Sequence, residues 1–314
     1  MDVPAAHAES LNKQPQPQRN KRPTAAECIG RLFAPDGLCV APGAGAAAAA
    51  AAGGGGLFAC CMTDEEEPAA AAAGGGFFFV QIGASVGDSP HDPIFGLVAR
   101  HKWSGLLVEP LSHAFAKLRA NYAHAGCAAG QLLFEQCAIS DCAGQRTMHF
   151  VDEEADDFKQ LPPELQEAAK GTASFDKDHP RKVVKVQGGV VTMKEEVCRV
   201  EPLAAVLARR AVAPAAVKLL VVDTEGHDAV ILSSIDFSAA NGFRPAAILF
   251  EHRHTDGTWS FPVRAGAQFK QVNGHLHAAG YTTARLDLMD TLAVLDASLL
   301  PKLGLTATGG PAAS

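Results

Sequence analysis

The sequence predicts an α/β fold built on a mostly parallel sheet, and three observations carry that reading. From residue 77 onward short apolar runs alternate with helix-period segments, the pattern of stacked βαβ units. The first of these strands runs into a glycine-bearing turn and then a helix, in FFFVQIGASVGDSPHDPIFGLVARHKWSGLLVE (Phe77–Glu109). The last two apolar runs are separated only by a short turn, which suits an antiparallel hairpin.

The expected strands are Phe77–Ile82, Gly105–Glu109, Leu132–Cys137, Lys218–Asp223 and Ala246–Glu251, followed by Thr282–Asp287 and Thr291–Leu295 as the hairpin. Asp92 and Pro93 read as N-cap and first residue of a helix reaching about Lys102. Leu111–Tyr122 has Phe115 and Leu118 spaced to face the sheet, and short helices are expected at Glu201–Arg210 and Asp228–Ser234. Val151–Arg181 is acidic, holds three prolines and lacks periodicity, so it reads as an excursion over the site.

Composition divides the chain. Residues 1–75 contain QPQPQRNKRP, alanine runs at Ala46–Ala52 and Ala69–Ala73, and a glycine run between them, and are expected to be a disordered leader. Residues 76–300 form the expected domain, and 301–314 a flexible tail. A net charge of −7 argues against a nucleic-acid partner. Eight cysteines without a CxxC pair argue against a disulfide framework or zinc site and favour an intracellular compartment, cytoplasm or organelle. The uncharged stretch Gly37–Met62 is mostly Ala and Gly, too weakly apolar for a membrane span to be expected.

The glycine turn suits a nucleotide cofactor, with Glu109 placed to accept hydrogen bonds from ribose hydroxyls. Gly83, Ser85 and Gly87 spell G-x-S-x-G, and Asp88 stands where a dinucleotide fingerprint needs its third glycine. That absence tilts the pocket from NAD, and an oxidoreductase, toward S-adenosylmethionine, which has no phosphates. The same spacing spells a nucleophile elbow, but only low-complexity sequence precedes the strand, so serine hydrolysis is not expected. The second half of the site lies at the ends of two later strands. Asp223 and Glu225 share a side if the strand persists, and alternation sends Glu251 and Arg253 one way, His252 and His254 the other. Asp223, Glu225 and His252 are the catalytic candidates for taking a proton from a hydroxyl, with position favouring Asp223 and His252. No spacing assigns a metal.

Read together, VQIGASVGD, DPI (Asp92–Ile94), LLVEP (Leu106–Pro110), CAIS (Cys137–Ser140), LLVVDTEGHD (Leu219–Asp228), IDF (Ile235–Phe237), LFEHRH (Leu249–His254), GY (Gly280–Tyr281) and DTLAVL (Asp290–Leu295) resemble the FkbM-type methyltransferases. The resemblance implies a class I, Rossmann-like methyltransferase sheet of seven strands with an antiparallel last strand. It also implies S-adenosylmethionine as cofactor, with Gly83, Ser85 and Gly87 lining it and Glu109 on its ribose, and O-methylation of a small molecule or sugar. Two positions depart from the class I pattern. Gln81 stands where an acid is common, and Cys137 where an aspartate often meets the adenine, leaving neighbouring backbone around Ala138 for that contact. These departures leave a catalytically weak, methyltransferase-like binding protein as the alternative.

Overall fold

The computed structural model describes residues 22–39, 77–181, 191–253 and 266–310. Its elements run α1 (Ala25–Phe33), β1 (Phe78–Ile82), α2 (Phe95–His101), β2 (Ser104–Val108), α3 (Ser112–His124), β3 (Leu132–Glu135), β4 (Ala138–Ile139) and β5 (Gly144–Val151). There follow α4 (Asp156–Lys159), α5 (Pro163–Lys170), β6 (Met193–Glu201), α6 (Leu203–Arg209), β7 (Val217–Val222), α7 (Asp228–Ser234) and β8 (Ala247–Glu251). The chain closes with α8 (Ala267–Ala278), β9 (Thr282–Arg285), β10 (Asp290–Val294) and α9 (Leu299–Lys302).

Seven strands form one sheet in the order β3-β2-β1-β7-β8-β10-β9. The pairs among β3, β2, β1, β7 and β8 are parallel, whereas β10 runs antiparallel to both β8 and β9. Parallel strands covered on both faces need continuous apolar runs rather than alternation, and all five residues of β1 and of β8 are buried. Alternation still decides which layer each side chain joins. Phe78, Val80 and Ile82 pack with Leu203, Val206, Ile231 and Val272 from α6, α7 and α8. Phe79 points to the opposite layer with Val98 of α2 and Leu118 of α3. Gly105 on β2 makes room for it, since a Cβ there would lie 2.3 Å from the Phe79 ring.

Two expectations are corrected at the termini. Within the expected disordered leader, Ala25–Phe33 is helical and buries Cys28, Ile29, Leu32 and Phe33 against the Phe79 layer. Its start is a capping box: Thr24 Oγ1 accepts from the Glu27 N–H at 3.2 Å, and the Thr24 N–H donates to Glu27 Oε2 at 2.7 Å. The surrounding alanine and glycine runs dominate the composition and hide this short amphipathic stretch. The expected flexible tail is likewise anchored in part. Leu303 and Leu305 are buried, and the Thr283 N–H donates to Gly309 O at 2.8 Å. The rest of the leader, residues 1–21 and 40–75, lies outside the described residues, as do 76 and 311–314.

The three-stranded sheet β4-β6-β5 was not expected from the sequence. An ion-pair cluster joins it to the main sheet. Glu135, buried at the end of β3, pairs with Arg199 of β6, with Arg209 of α6 at 2.8 Å and with Arg210 at 2.6 Å. Burial alone would raise its pKa, but the arginines hold it below the usual carboxylate range. Their guanidinium groups reach solvent, which weakens the attraction. Glu135→Ala should therefore cost about 2 kcal/mol, below the roughly 3–5 kcal/mol of a fully buried pair, read as a lower urea midpoint. Among the described residues no helix is long and apolar enough to cross a membrane.

Candidate active site

The carboxyl ends of β1, β2, β7 and β8 open onto a cavity of about 770 Å³, within the usual size of a ligand pocket. Strand geometry builds its floor. Ile82 and Val222 are partners in the parallel pair of β1 and β7, so the chain after each strand leaves side by side. Gly83, at φ +80°, passes so close to its neighbour that a Cβ would lie 1.7 Å from Asp223 O. The Gly83 and Ala84 N–H groups donate to Val108 O at 3.0 and 3.1 Å. Ser85 also takes positive φ, +47°.

Gly87 borders the cavity for a different reason. At φ +74°, its missing Cβ lets α3 approach, since that atom would meet Leu118 at 3.0 Å and Tyr122 at 3.1 Å. Asn121 on the same helix donates to Val86 O at 2.9 Å and tethers the turn. The next helix starts later than expected. Ile94 is its N-cap and Phe95 its first residue, while Asp92 Oδ1 still accepts from both their N–H groups, at 2.8 and 2.6 Å. Asp92 Oδ2 accepts from Gln81 Nε2 at 2.9 Å. Gln81 is 2% exposed, and its Oε1 has no hydrogen-bond partner among the described residues. A buried acceptor left open in this way suits a donor arriving with a ligand.

Glu109 follows β2 and is buried. Its Oε2 accepts from the Ser85 N–H and its Oε1 from the Leu111 N–H, each at 2.9 Å. Burial raises its pKa to about 7, against the lowering effect of these two bonds. One lone pair on each oxygen remains for a ligand. Cys137 and Ala138 form the adjoining wall; burial pushes the Cys137 thiol up to about 12, so it offers no charge.

Across the floor stand the acids of the later strands. Asp223, Glu225 and Glu251 all line the cavity, as do Asp287 and Asp290 of the last hairpin. Asp290 is the antiparallel partner of Glu251. Asp223 is exposed at the cavity mouth. Desolvation by the surrounding walls first, then the charges of Glu225, Asp228, Asp290 and Asp92, raise its pKa above the ordinary value. Glu251 is raised by burial and then by Glu225 and Asp223, and burial chiefly lifts Asp290 to about 7. Asp228 serves the turn itself: its Oδ2 accepts from Thr224 Oγ1 at 3.0 Å and from the Gly226 N–H at 3.3 Å. Among the described residues no cluster of three or more His, Cys, Asp or Glu is arranged to hold a metal ion.

The structure does not bring His252 to this cavity. Alternation along β8 sends Glu251 and Arg253 to its wall, while His252 is buried elsewhere, with Nδ1 3.0 Å from Thr291 Oγ1 and its ring 5.1 Å from that of Phe269. Burial, then Arg285, depresses its pKa to about 4. His254 lies outside the described residues. The expected excursion does border the site, through Gly171, Thr172, Ala173 and Phe175. It also brings residues that sequence reasoning missed. His179 Nε2 lies 2.8 Å from Glu225 Oε2, and Ser174 Oγ donates to Glu225 O at 3.0 Å. His227 Nε2 meets Ser140 Oγ at 2.8 Å. Only the singling-out of DTEGHD pointed toward these contacts.

A sequence model of the methyltransferase FkbM domain matches residues 81–283, well over half of the chain. Among solved structures, the chain is similar to the methyltransferase FkbM from Methylobacillus flagellatus KT, at 14% identity and a TM-score of 0.39. The alignment covers 69% of this chain and 43% of that one, so the match spans less than half of the solved chain. No curated protein matches.

Proposed function

The chain belongs to the methyltransferase FkbM domain family, and from that membership and the cavity we propose that it methylates a hydroxyl oxygen of a small molecule or sugar, using S-adenosylmethionine. One observation carries the reading: a single cavity joins the glycine turn and Glu109 on one side to the Asp223–Glu225 turn on the other. The strand order with its antiparallel β10 supports a class I, Rossmann-like methyltransferase sheet.

When bound, S-adenosylmethionine supplies an electrophilic methyl group. The residues present fit it. Glu109 keeps lone pairs for ribose hydroxyls, and the open acceptor of Gln81 suits an ammonium group. Gly83 and Ser85 bring backbone to the cavity edge, Gly87 completes the turn, and Cys137 with Ala138 walls the side assigned to the adenine. Asp223 and Glu225 stand where a proton can be taken from an acceptor hydroxyl, a role worth roughly 10²–10⁴-fold in rate. His252, away from the cavity, is not assigned one. The uncharged Gln81 and Cys137 favour one second reading, a binding protein with weak or no turnover.

Thermal shift with S-adenosylhomocysteine, S-adenosylmethionine and NAD tests the proposal. Either adenosyl compound at a hundred times its Kd should add about 2.7 kcal/mol of stability, and NAD should add none. A shift with NAD alone sinks the methyltransferase reading. A shift with the adenosyl compounds and no transfer of labelled methyl to any alcohol or sugar favours the second reading.

A further inference from the structure

A carboxylate that receives a proton acts best when its orientation is fixed before the acceptor arrives. Glu225 is held from several directions. Its backbone sits at φ +52°, in the left-handed region, where a non-glycine residue persists only if its surroundings demand it. Ser174 Oγ donates to its carbonyl at 3.0 Å, and its Oε2 lies 2.8 Å from Nε2 of His179, whose side chain is 6% exposed. Ser174 is itself fixed to β5: its N–H donates to His149 O at 3.0 Å, and the His149 N–H donates to Ser174 O at 2.9 Å. The excursion and the catalytic turn are thus joined at one residue.

Glu225 also stands between two spaces. It lines the main cavity and a side pocket of about 230 Å³ bordered by Arg146, Ser174, Phe175, His179 and His227. Its side chain thus borders both spaces, with His179 at Oε2. Asp223, by contrast, shares the floor with Asp290 and Glu251, and no side chain among the described residues hydrogen-bonds its carboxylate.

We propose that His179 is a positioning residue for Glu225, and that this carboxylate, rather than that of Asp223, receives the proton of the acceptor hydroxyl. The proposal rests on the methyltransferase reading above. In that step the acceptor O–H bond breaks and its oxygen gains the methyl carbon. The carbon–sulfur bond of the sulfonium breaks to leave a neutral thioether, and the proton goes to Glu225. The side pocket gives that proton a route away from the cavity.

Crystal structures of the full chain with S-adenosylhomocysteine, as wild type, His179→Phe and His179→Gln, test the positioning without requiring a known acceptor. Glutamine keeps an N–H donor of similar reach, so Glu225 should keep its place in that variant and swing away in the phenylalanine one. Methyl transfer from tritiated S-adenosylmethionine to a panel of monosaccharides and simple alcohols supplies the kinetic readout. His179→Phe should lower kcat about 10- to 100-fold with cofactor KM within about twofold, and His179→Gln should restore most of the rate. Glu225→Gln should slow turnover more than Asp223→Asn. An unmoved Glu225 carboxylate in His179→Phe, an unchanged kcat, or the reverse order of the two acid variants overturns the proposal. If no compound accepts methyl, or His179→Phe does not fold, displacement of Glu225 in His179→Gln relative to wild type decides against it and retention supports it. Failure of the wild type to bind S-adenosylhomocysteine sinks the cofactor reading instead, and the ligand-free structures still report on Glu225.

Discussion

Replacing Glu109 with alanine should weaken S-adenosylhomocysteine binding by about 10- to 150-fold, the range for losing charge-assisted hydrogen bonds worth roughly 1.5–3 kcal/mol. Two losses combine. On the proposed reading the ribose hydroxyls would forfeit their carboxylate, and the Ser85 and Leu111 N–H groups forfeit the acceptor that orders the turn around them. The fold should survive, because removing a carboxylate whose burial raises its pKa to about 7 also removes a desolvation cost. Calorimetry of the variant gives the affinity, and an affinity within twofold of wild type means that the ribose partner lies elsewhere.

The pH dependence separates the two roles of Glu109. Its folded pKa of about 7 stands above its ordinary 4.5. Its contribution to stability is therefore fully present below about pH 4.5 and is lost as pH rises through about 7. Glu109→Gln removes this titration and leaves other groups, such as the depressed His227 and His252, titrating alike in both proteins. Between pH 5 and pH 8 the ligand-free wild type should thus lose about 2–3 kcal/mol relative to Glu109→Gln. Cofactor affinity should move the opposite way, rising in wild type as the carboxylate ionises and staying flat in the variant. Urea melts and calorimetry at matched ionic strength read both trends.

The parts of the fold legible in the sequence are those whose signal is continuous. β1, β7 and β8 are largely apolar runs leading to Gly83, Asp223 and Glu251, interrupted only by Gln81 and Lys218, and their observed ends fall within about one residue of expectation. β5 and β6 were missed because their burial is sparse. In MKEEVCRVE only Cys198 and Val200 are buried, among charged neighbours that read as a solvated loop. The site divides in the same way. Gly83, Glu109 and Asp223 could be located because each ends or follows a strand, and alternation along β8 already pointed His252 away from Glu251. The approach of His179 to Glu225 crosses 46 residues through a segment without periodicity, and no local pattern encodes it. Gly87 was legible as a glycine but not in its reason, which is the packing of α3.

That distinction gives the two glycines different expected costs. An alanine at position 83 would place its Cβ 1.7 Å from Asp223 O, inside the backbone of a central strand that cannot swing aside, and would hold φ at +80°. Either the β1–β7 pair separates or the turn flips, and both disrupt the floor that holds Asp223 and the open acceptor of Gln81. Gly83→Ala should cost at least about 3 kcal/mol, in the range reserved for backbone strain combined with overpacking, and should abolish S-adenosylhomocysteine binding even where the protein still folds. An alanine at position 87 meets only the ends of Leu118 and Tyr122, at 3.0 and 3.1 Å, and these side chains can yield. The main penalty there is the left-handed backbone, about 1–2 kcal/mol. Urea midpoints of the two variants should therefore rank Gly83→Ala well below Gly87→Ala. Equal midpoints would show that the Gly83–Asp223 approach does not hold the two strand ends together, and the cavity floor would need another explanation.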